Sequence, residues 1–149
     1  NNPDTRFFLA LPWEPFPHTT DAATYRANWQ AAHGAISHGI VDSLRAEYPG
    51  VDFYCIPYGQ SAVELRTLFA AGQLPDVQQL TGSAGDAIFT DPLGHAGKIL
   101  VALGELVWLR AIYGVSLEAY DFDPGYTAAL KPIAAAIMDA HDPAFDAPE

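Results

Sequence analysis

A single cysteine among 149 residues, Cys55, rules out an intrachain disulfide and any cysteine-built zinc site. It lies in the apolar run 51–57, where a buried, inert thiol is expected, and it does not settle the compartment. Basic residues are scarce as well: seven Lys and Arg against 18 Asp and Glu leave a formal net charge of −11. Such a chain repels phosphate backbones and anionic membrane surfaces, so no nucleic-acid partner is expected. The acids are scattered and read as a solubilising surface. Glu118, Asp121 and Asp123 lack the alternating spacing of a calcium loop and read as a solvated turn. No apolar run is long enough to span a membrane; the longest, 99–113, contains Glu105 and Arg110 and reads as a core helix. The five histidines are too dispersed for a recognisable zinc site, so no metal site and no cofactor are expected. An initiator Met and a signal peptide are missing at the start, and Asn1-Asn2-Pro3 reads as a processed or trimmed beginning.

What is present fits a globular chain: half of the residues are hydrophobic and 17% are charged. The length suits one domain, residues 1–149, able to bury roughly two thirds of its unfolded surface. Residues 6–12 (RFFLALP) form a short apolar run closed by proline, the pattern of a fully buried strand in a parallel sheet. Trp13-Glu14-Pro15-Phe16-Pro17-His18 follows as a stiff proline-rich loop. Thr20 or Asp21 can cap a long amphipathic helix over 22–47, in which Tyr25, Trp29, Ile36, Ile40 and Leu44 recur at helical intervals. His33 shares that stripe and reads as a packed, hydrogen-bonded histidine.

Residues 51–57 (VDFYCIP) form a second strand. Ser61 and Glu64 have the spacing of a capping box, opening a short helix that ends at Gly72. Residues 73–85 carry turn formers without a period and read as a surface loop; Ala87-Ile88-Phe89 is a brief extended stretch. A nearly all-round apolar helix over 95–113 implies burial on more than one side, with Gly114 as its C′ residue. An acidic turn at 120–125, an amphipathic helix at 126–140 and a frayed tail at 141–149 complete the chain. The order strand, helix, strand, helix, loop, helix, helix predicts an α/β fold with parallel strands.

Chemistry concentrates at Thr90-Asp91-Pro92-Leu93-Gly94-His95. A histidine that takes a proton near neutral pH needs one ring nitrogen toward the substrate and the other held, best by a carboxylate. Pro92 fixes the backbone beside the acid, and Gly94 allows it to fold back so that Asp91 and His95 can converge. The alternative reading is a helix start with Asp91 as N-cap and His95 in the first turn. His18, Trp13 and Glu14 on the proline-rich loop read either as a pocket rim or as a solvated loop with Trp13 covering the core.

The stretch from Ile88 to Gly97, running into an apolar helix, resembles the last conserved block of the SGNH (GDSL-like) hydrolases, in which an Asp and a His precede a small-residue turn and a long helix. The pieces before it, an apolar strand ending in a proline-rich loop, a long helix and a second strand, are similar in order to the later half of that family's flavodoxin-like sheet. The resemblance covers roughly residues 6–114. It implies a flavodoxin-like three-layer αβα fold with parallel strands, of which this chain is the whole or a C-terminal portion. It also implies an ester hydrolase with His95 as general base and Asp91 as its orienting partner. Asp91 and His95 stand four apart where the family has three, with Gly94 as the extra residue. The family's Gly-Asp-Ser and Gly-x-Asn-Asp segments do not occur in these 149 residues, and Gly85-Asp86-Ala87 has alanine where the serine would stand. Ser61 and Ser83 are the substitute nucleophiles to consider, and helix capping and a flexible loop explain them without catalysis.

Two functions follow as expectations. One is an ester hydrolase, a carbohydrate acetyl esterase being one form, acting on a small-molecule or carbohydrate ester. Its serine would come from sequence outside this chain or from a companion polypeptide, or self-association would complete the fold. The other is a non-catalytic α/β ligand-binding or assembly module. In either, Trp13, Phe16 and Tyr58 are the candidate substrate-binding residues.

Overall fold

A computed structural model describes residues 5–83 and 85–148; the start expected to be trimmed at Asn1-Asn2-Pro3, Ala84 in the loop of Ser83, and Glu149 lie outside them. Strand β1 (Arg6–Ala10) pairs in parallel with β2 (Asp52–Ile56), Arg6 opposite Asp52 and Ala10 opposite Ile56. Strands β3 (Gln79–Thr81) and β4 (Ala87–Phe89) form a second parallel pair. The fold is therefore mixed α/β with two small parallel sheets among the described residues.

β1 is not the fully buried strand its apolar run predicts. Phe7 is 49% exposed, because among the described residues β1 has β2 as its one strand neighbour and no layer closes over the ring. The helix expected over 22–47 is interrupted: α1 (Ala22–Ala32) and α2 (Gly39–Glu47) flank a π-helical turn at His33–His38. Asp21 starts α1 as expected, its carboxylate accepting the Thr24 N–H at 2.7 Å. The buried positions then run Tyr25, Trp29, His33, Ser37 and Val41, one every four residues, while Ile36 and Ile40 face outward. A strict period of four drifts around an α-helix of 3.6 residues per turn, and the wider π turn absorbs the drift. Gly34 and Gly39, weak helix formers, bracket it.

Helix α3 (Gln60–Ala70) begins before the predicted capping box, so Ser61 caps nothing: its Oγ is buried without a hydrogen-bond partner. Glu64 instead takes Arg26 in a two-bond pair at 2.9 Å. The segment 73–85 is more than a surface loop, since it contains β3 and buries Leu74 and Val77. Helix α4 (Lys98–Tyr113) starts three residues later than expected, and Gly114 closes it at φ 62° as a left-handed C-terminal residue. Its buried Leu100, Leu103 and Val107 join Tyr25, Ile56 and Phe89 in the main core.

Helix α5 (Leu130–Asp139) also starts late, because Asp76 holds the N–H groups of Thr127 and Ala128 in a non-helical approach. Residues 141–146 of the tail pack on the fold rather than fray. A 3₁₀ turn at Pro143–Phe145 buries Phe145 with Val41 and Cys55, and Arg45 donates to the Ala144 carbonyl at 2.9 Å. Cys55 is 1% exposed, and burial pushes its thiol up to about 11, which leaves it an inert core residue. Among the described residues no helix is long and apolar enough to cross a membrane.

Candidate functional site

Asp91 and His95 converge. His95 Nδ1 lies 2.5 Å from Asp91 Oδ2, and since a carboxylate only accepts, Nδ1 carries the proton and donates it. In the neutral ring Nε2 is then the atom with the lone pair. It makes no hydrogen bond among the described residues, and the side chain is 71% exposed. Asp91 also builds the turn: Oδ1 accepts the N–H groups of Leu93 at 2.9 Å and Gly94 at 3.1 Å. One oxygen shapes the backbone and the other orients the imidazole, so turn former and orienting partner are the same residue. The hydrogen bond from His95, foremost, holds the Asp91 carboxyl below its ordinary value.

Asp91 is not a helix cap. The chain closes on itself first, with Thr90 N–H on the His95 carbonyl at 2.7 Å, an antiparallel bridge of Phe89 to Ala96, and Gly97 N–H on the Ile88 carbonyl at 2.7 Å. Gly94, at φ 98°, is the residue that absorbs the four-residue spacing. At Gly97 a Cβ would lie 2.3 Å from the Ala87 carbonyl oxygen, so only glycine passes there.

The proline-rich loop docks on this turn. Trp13 donates its indole N–H to the Gly94 carbonyl at 2.7 Å, and Phe16 N–H reaches the Leu93 carbonyl at 3.2 Å. Trp13 also packs against Tyr58, ring centroids 5.1 Å apart. The segments that follow β1, β2 and β4 thus meet around Trp13, the end of parallel strands where α/β folds collect ligands. Phe16 holds a positive φ of 54° with its ring half exposed, and His18 is solvent-exposed on the same loop. Tyr58 also borders a shallow groove formed with Glu105, Trp108 and Tyr113, which Trp13 and Phe16 do not line. Among the described residues no hydroxyl hydrogen-bonds the His95 imidazole: Thr90 Oγ1 donates to the His95 backbone carbonyl at 3.3 Å, Ser61 is buried in α3, and Ser83 is exposed on its loop.

A second constellation was not legible in residue spacing, where the histidines read as too dispersed for a recognisable zinc site. His33 and His38 from the π turn and His141 from the end of α5 converge, each placing a ring nitrogen within 4.8 Å of the other two. His141 Nε2 lies 3.2 Å from His33 Nε2 and 3.3 Å from His38 Nε2. Its Nδ1 donates to Asp146 at 2.6 Å. His33 stacks on Trp29 at 4.7 Å, the packed role expected of it, although its Nδ1 is buried without a partner. His38 stacks on Phe145 at 3.8 Å. Burial pushes His33 down to about 4 and lowers His38 as well, so both rings are neutral at neutral pH. They open onto a cavity of about 480 Å³ that also reaches Gln60, Glu64 and Asp142.

Comparison with protein-family models, with curated proteins and with solved structures finds no match to this chain.

Proposed function

We propose that the chain contributes the acid–base half of an SGNH-type ester hydrolase, with His95 as general base and Asp91 as its orienting partner. The observation that carries this reading is the 2.5 Å hydrogen bond from His95 Nδ1 to Asp91, which in the neutral ring makes Nε2 the lone-pair atom, on a side chain that is 71% exposed. That is the state a base needs: a fixed tautomer, a free lone pair, and a carboxylate that stabilises the imidazolium formed when the proton arrives. A serine hydroxyl at hydrogen-bond distance from Nε2 would lose its proton as it attacks the ester carbonyl. His95 would then return that proton to the departing alkoxide.

The serine and the oxyanion donors belong, in this proposal, to a segment outside these 149 residues or to a companion polypeptide. The described strands would be the later part of a flavodoxin-like three-layer sheet. The exposed face of β1, with Phe7 and the stacked Phe53 beneath it, is where further layers would add. Trp13, Phe16 and Tyr58 would form the acyl or sugar side of the site, since two of them are bonded to the turn that carries the base and the third packs on Trp13. A carbohydrate acetyl ester suits an exposed base on a turn to which an aromatic-bearing loop is bonded.

Turnover of p-nitrophenyl acetate by the protein as isolated from its source, with His95→Ala alongside, tests the proposal. A base contributes roughly 10²–10⁴-fold, so His95→Ala should lower kcat by that order. Activity unchanged in the variant would remove His95 from the chemistry. No turnover from the native protein on acetyl, butyryl and acetylated-sugar esters would favour the non-catalytic binding module.

A further inference from the structure

We infer that His33, His38 and His141 form a binding site for one divalent transition-metal ion of the zinc class, open on its fourth side to the cavity lined by Gln60 and Glu64. This site shares no residue with the Asp91–His95 pair and does not depend on the hydrolase reading.

The backbone makes the site before any side chain does. In an α-helix, residues five apart point about 140° away from each other around the axis. The π turn at His33–His38 winds more slowly, and it brings His38 onto the same side as His33. A single π turn inside a helix is rare, and such turns occur often at functional sites. Here its consequence is specific: two imidazoles from one helix face a third from the far end of the chain.

Distances and protons then point the same way. Two nitrogens bound to one zinc ion at about 2.0–2.1 Å in tetrahedral geometry lie about 3.3–3.4 Å apart. The two separations from His141 Nε2 are 3.2 and 3.3 Å. Asp146 accepts from His141 Nδ1, so Nε2 is the His141 nitrogen that faces the other two rings and would give its lone pair to an ion. One lone pair serves one well-aligned N–H, so the remaining ring must share that bond or bring a second lone pair against it. A cation at the centre satisfies all three lone pairs at once. The carboxylate behind His141 is the usual second partner of a metal-bound imidazole, fixing its tautomer and raising its basicity. Three imidazole nitrogens with one open position suit zinc, cobalt(II), nickel(II) or copper(II) better than magnesium or calcium, which favour oxygen.

The ring stacks hold two of the ligands. His33 lies against Trp29 at an interplanar angle of 11°, and His38 against Phe145 at 5°, so stacking rather than a carboxylate behind the ring orients both of them. The open side meets a cavity of about 480 Å³, space for a water or a small ligand on the ion. Nearby, Glu64 is already committed to Arg26 and Gln60, so it reads as a wall of the cavity rather than a fourth ligand.

Equilibrium dialysis of the full chain against Zn²⁺ and, separately, Co²⁺, with metal quantified by elemental analysis, tests the inference. The expected result is one ion per chain, a visible Co²⁺ spectrum of tetrahedral strength, and a raised Tm with metal. His38→Ala and His141→Ala should each lose at least about 100-fold in affinity, and Asp146→Asn roughly 10–100-fold. His95→Ala should bind as the wild type does. His38→Gln, which keeps a polar side chain on Phe145, serves where the alanine variant is poorly folded by circular dichroism. Absence of stoichiometric metal would overturn the site, leaving three rings that share a proton. So would binding retained by a folded His38 variant, or binding lost in His95→Ala.

Discussion

Trp13 and Gly94, 81 residues apart in sequence, are joined by a 2.7 Å hydrogen bond from the indole N–H to the glycine carbonyl. This bond ties the loop after β1 to the turn that holds Asp91 and His95. Trp13→Phe keeps an aromatic ring against Tyr58 and removes the donor. A net cost of about 0.5–1.5 kcal/mol in unfolding free energy is expected, the range for one intramolecular hydrogen bond. Amide exchange at residues 93–95 should quicken more than global unfolding accounts for. If urea denaturation and exchange both match the wild type, the indole bond does not hold the turn.

Gly97 is a steric requirement. With the Ala87 carbonyl oxygen 2.3 Å from where a Cβ would sit, Gly97→Ala must push β4 away from the entry to α4. Unfolding free energy should fall by about 2–3 kcal/mol, the upper part of the usual range for a point substitution. The backbone there is extended at φ −78°, so crowding rather than strain is the cause. Gly94→Ala tests the other mechanism: it has room to within 3.2 Å of Pro17 but sits at φ 98°. It should cost about 1–3 kcal/mol, and it should shift the His95 ring resonances as the turn relaxes.

The features read correctly from sequence are those that local physics decides. Asp91, Pro92, Gly94 and His95 lie within five residues, so the turn chemistry that brings them together is written in adjacent positions. Both longer strands, the Asp21 cap and the Gly114 stop are local in the same sense. The histidine cluster is different. His33 and His141 are 108 residues apart, and His38 joins them only because the helix abandons its normal winding. A reading on a 3.6-residue period places Ile36 and Ile40 inward and so hides the π turn. The signal that was present is the every-fourth-residue series Tyr25, Trp29, His33, Ser37, Val41, together with the five-residue spacing of His141 and Asp146. Exposure of β1 was likewise beyond reach, since an apolar strand implies neighbours without stating which chain supplies them.

Phe145 makes the chain's end part of the fold. It stacks on His38, lies 5.4 Å from the Arg45 guanidinium and packs with Val41 and Cys55. Phe145→Ala should cost about 3 kcal/mol, the lower end for an aromatic removed from a core. Calorimetry measures this directly, and a frayed tail would instead show no change in Tm. The same variant should loosen His38 and weaken metal binding, whereas Leu103→Ala, in the main core, should lower stability and leave affinity for the ion near the wild-type value.

Asp76 gives a prediction in pH. Its two carboxylate oxygens accept the N–H groups of Thr127 and Ala128, each at 2.8 Å. Burial raises this carboxyl, but the backbone hydrogen bonds outweigh it and hold the group below its usual value of 3.8. A carboxyl lowered by folding adds stability above its unfolded value, and that contribution disappears as the pH falls through the folded one. Asp76→Asn should therefore be less stable than the wild type at neutral pH. The difference should narrow once the pH drops below 3.8, because the wild type then protonates the same group. Urea denaturation of both proteins across this range measures the gap. A gap that stays constant into the acid range would assign the approach to α5 to shape rather than to the Asp76 charge.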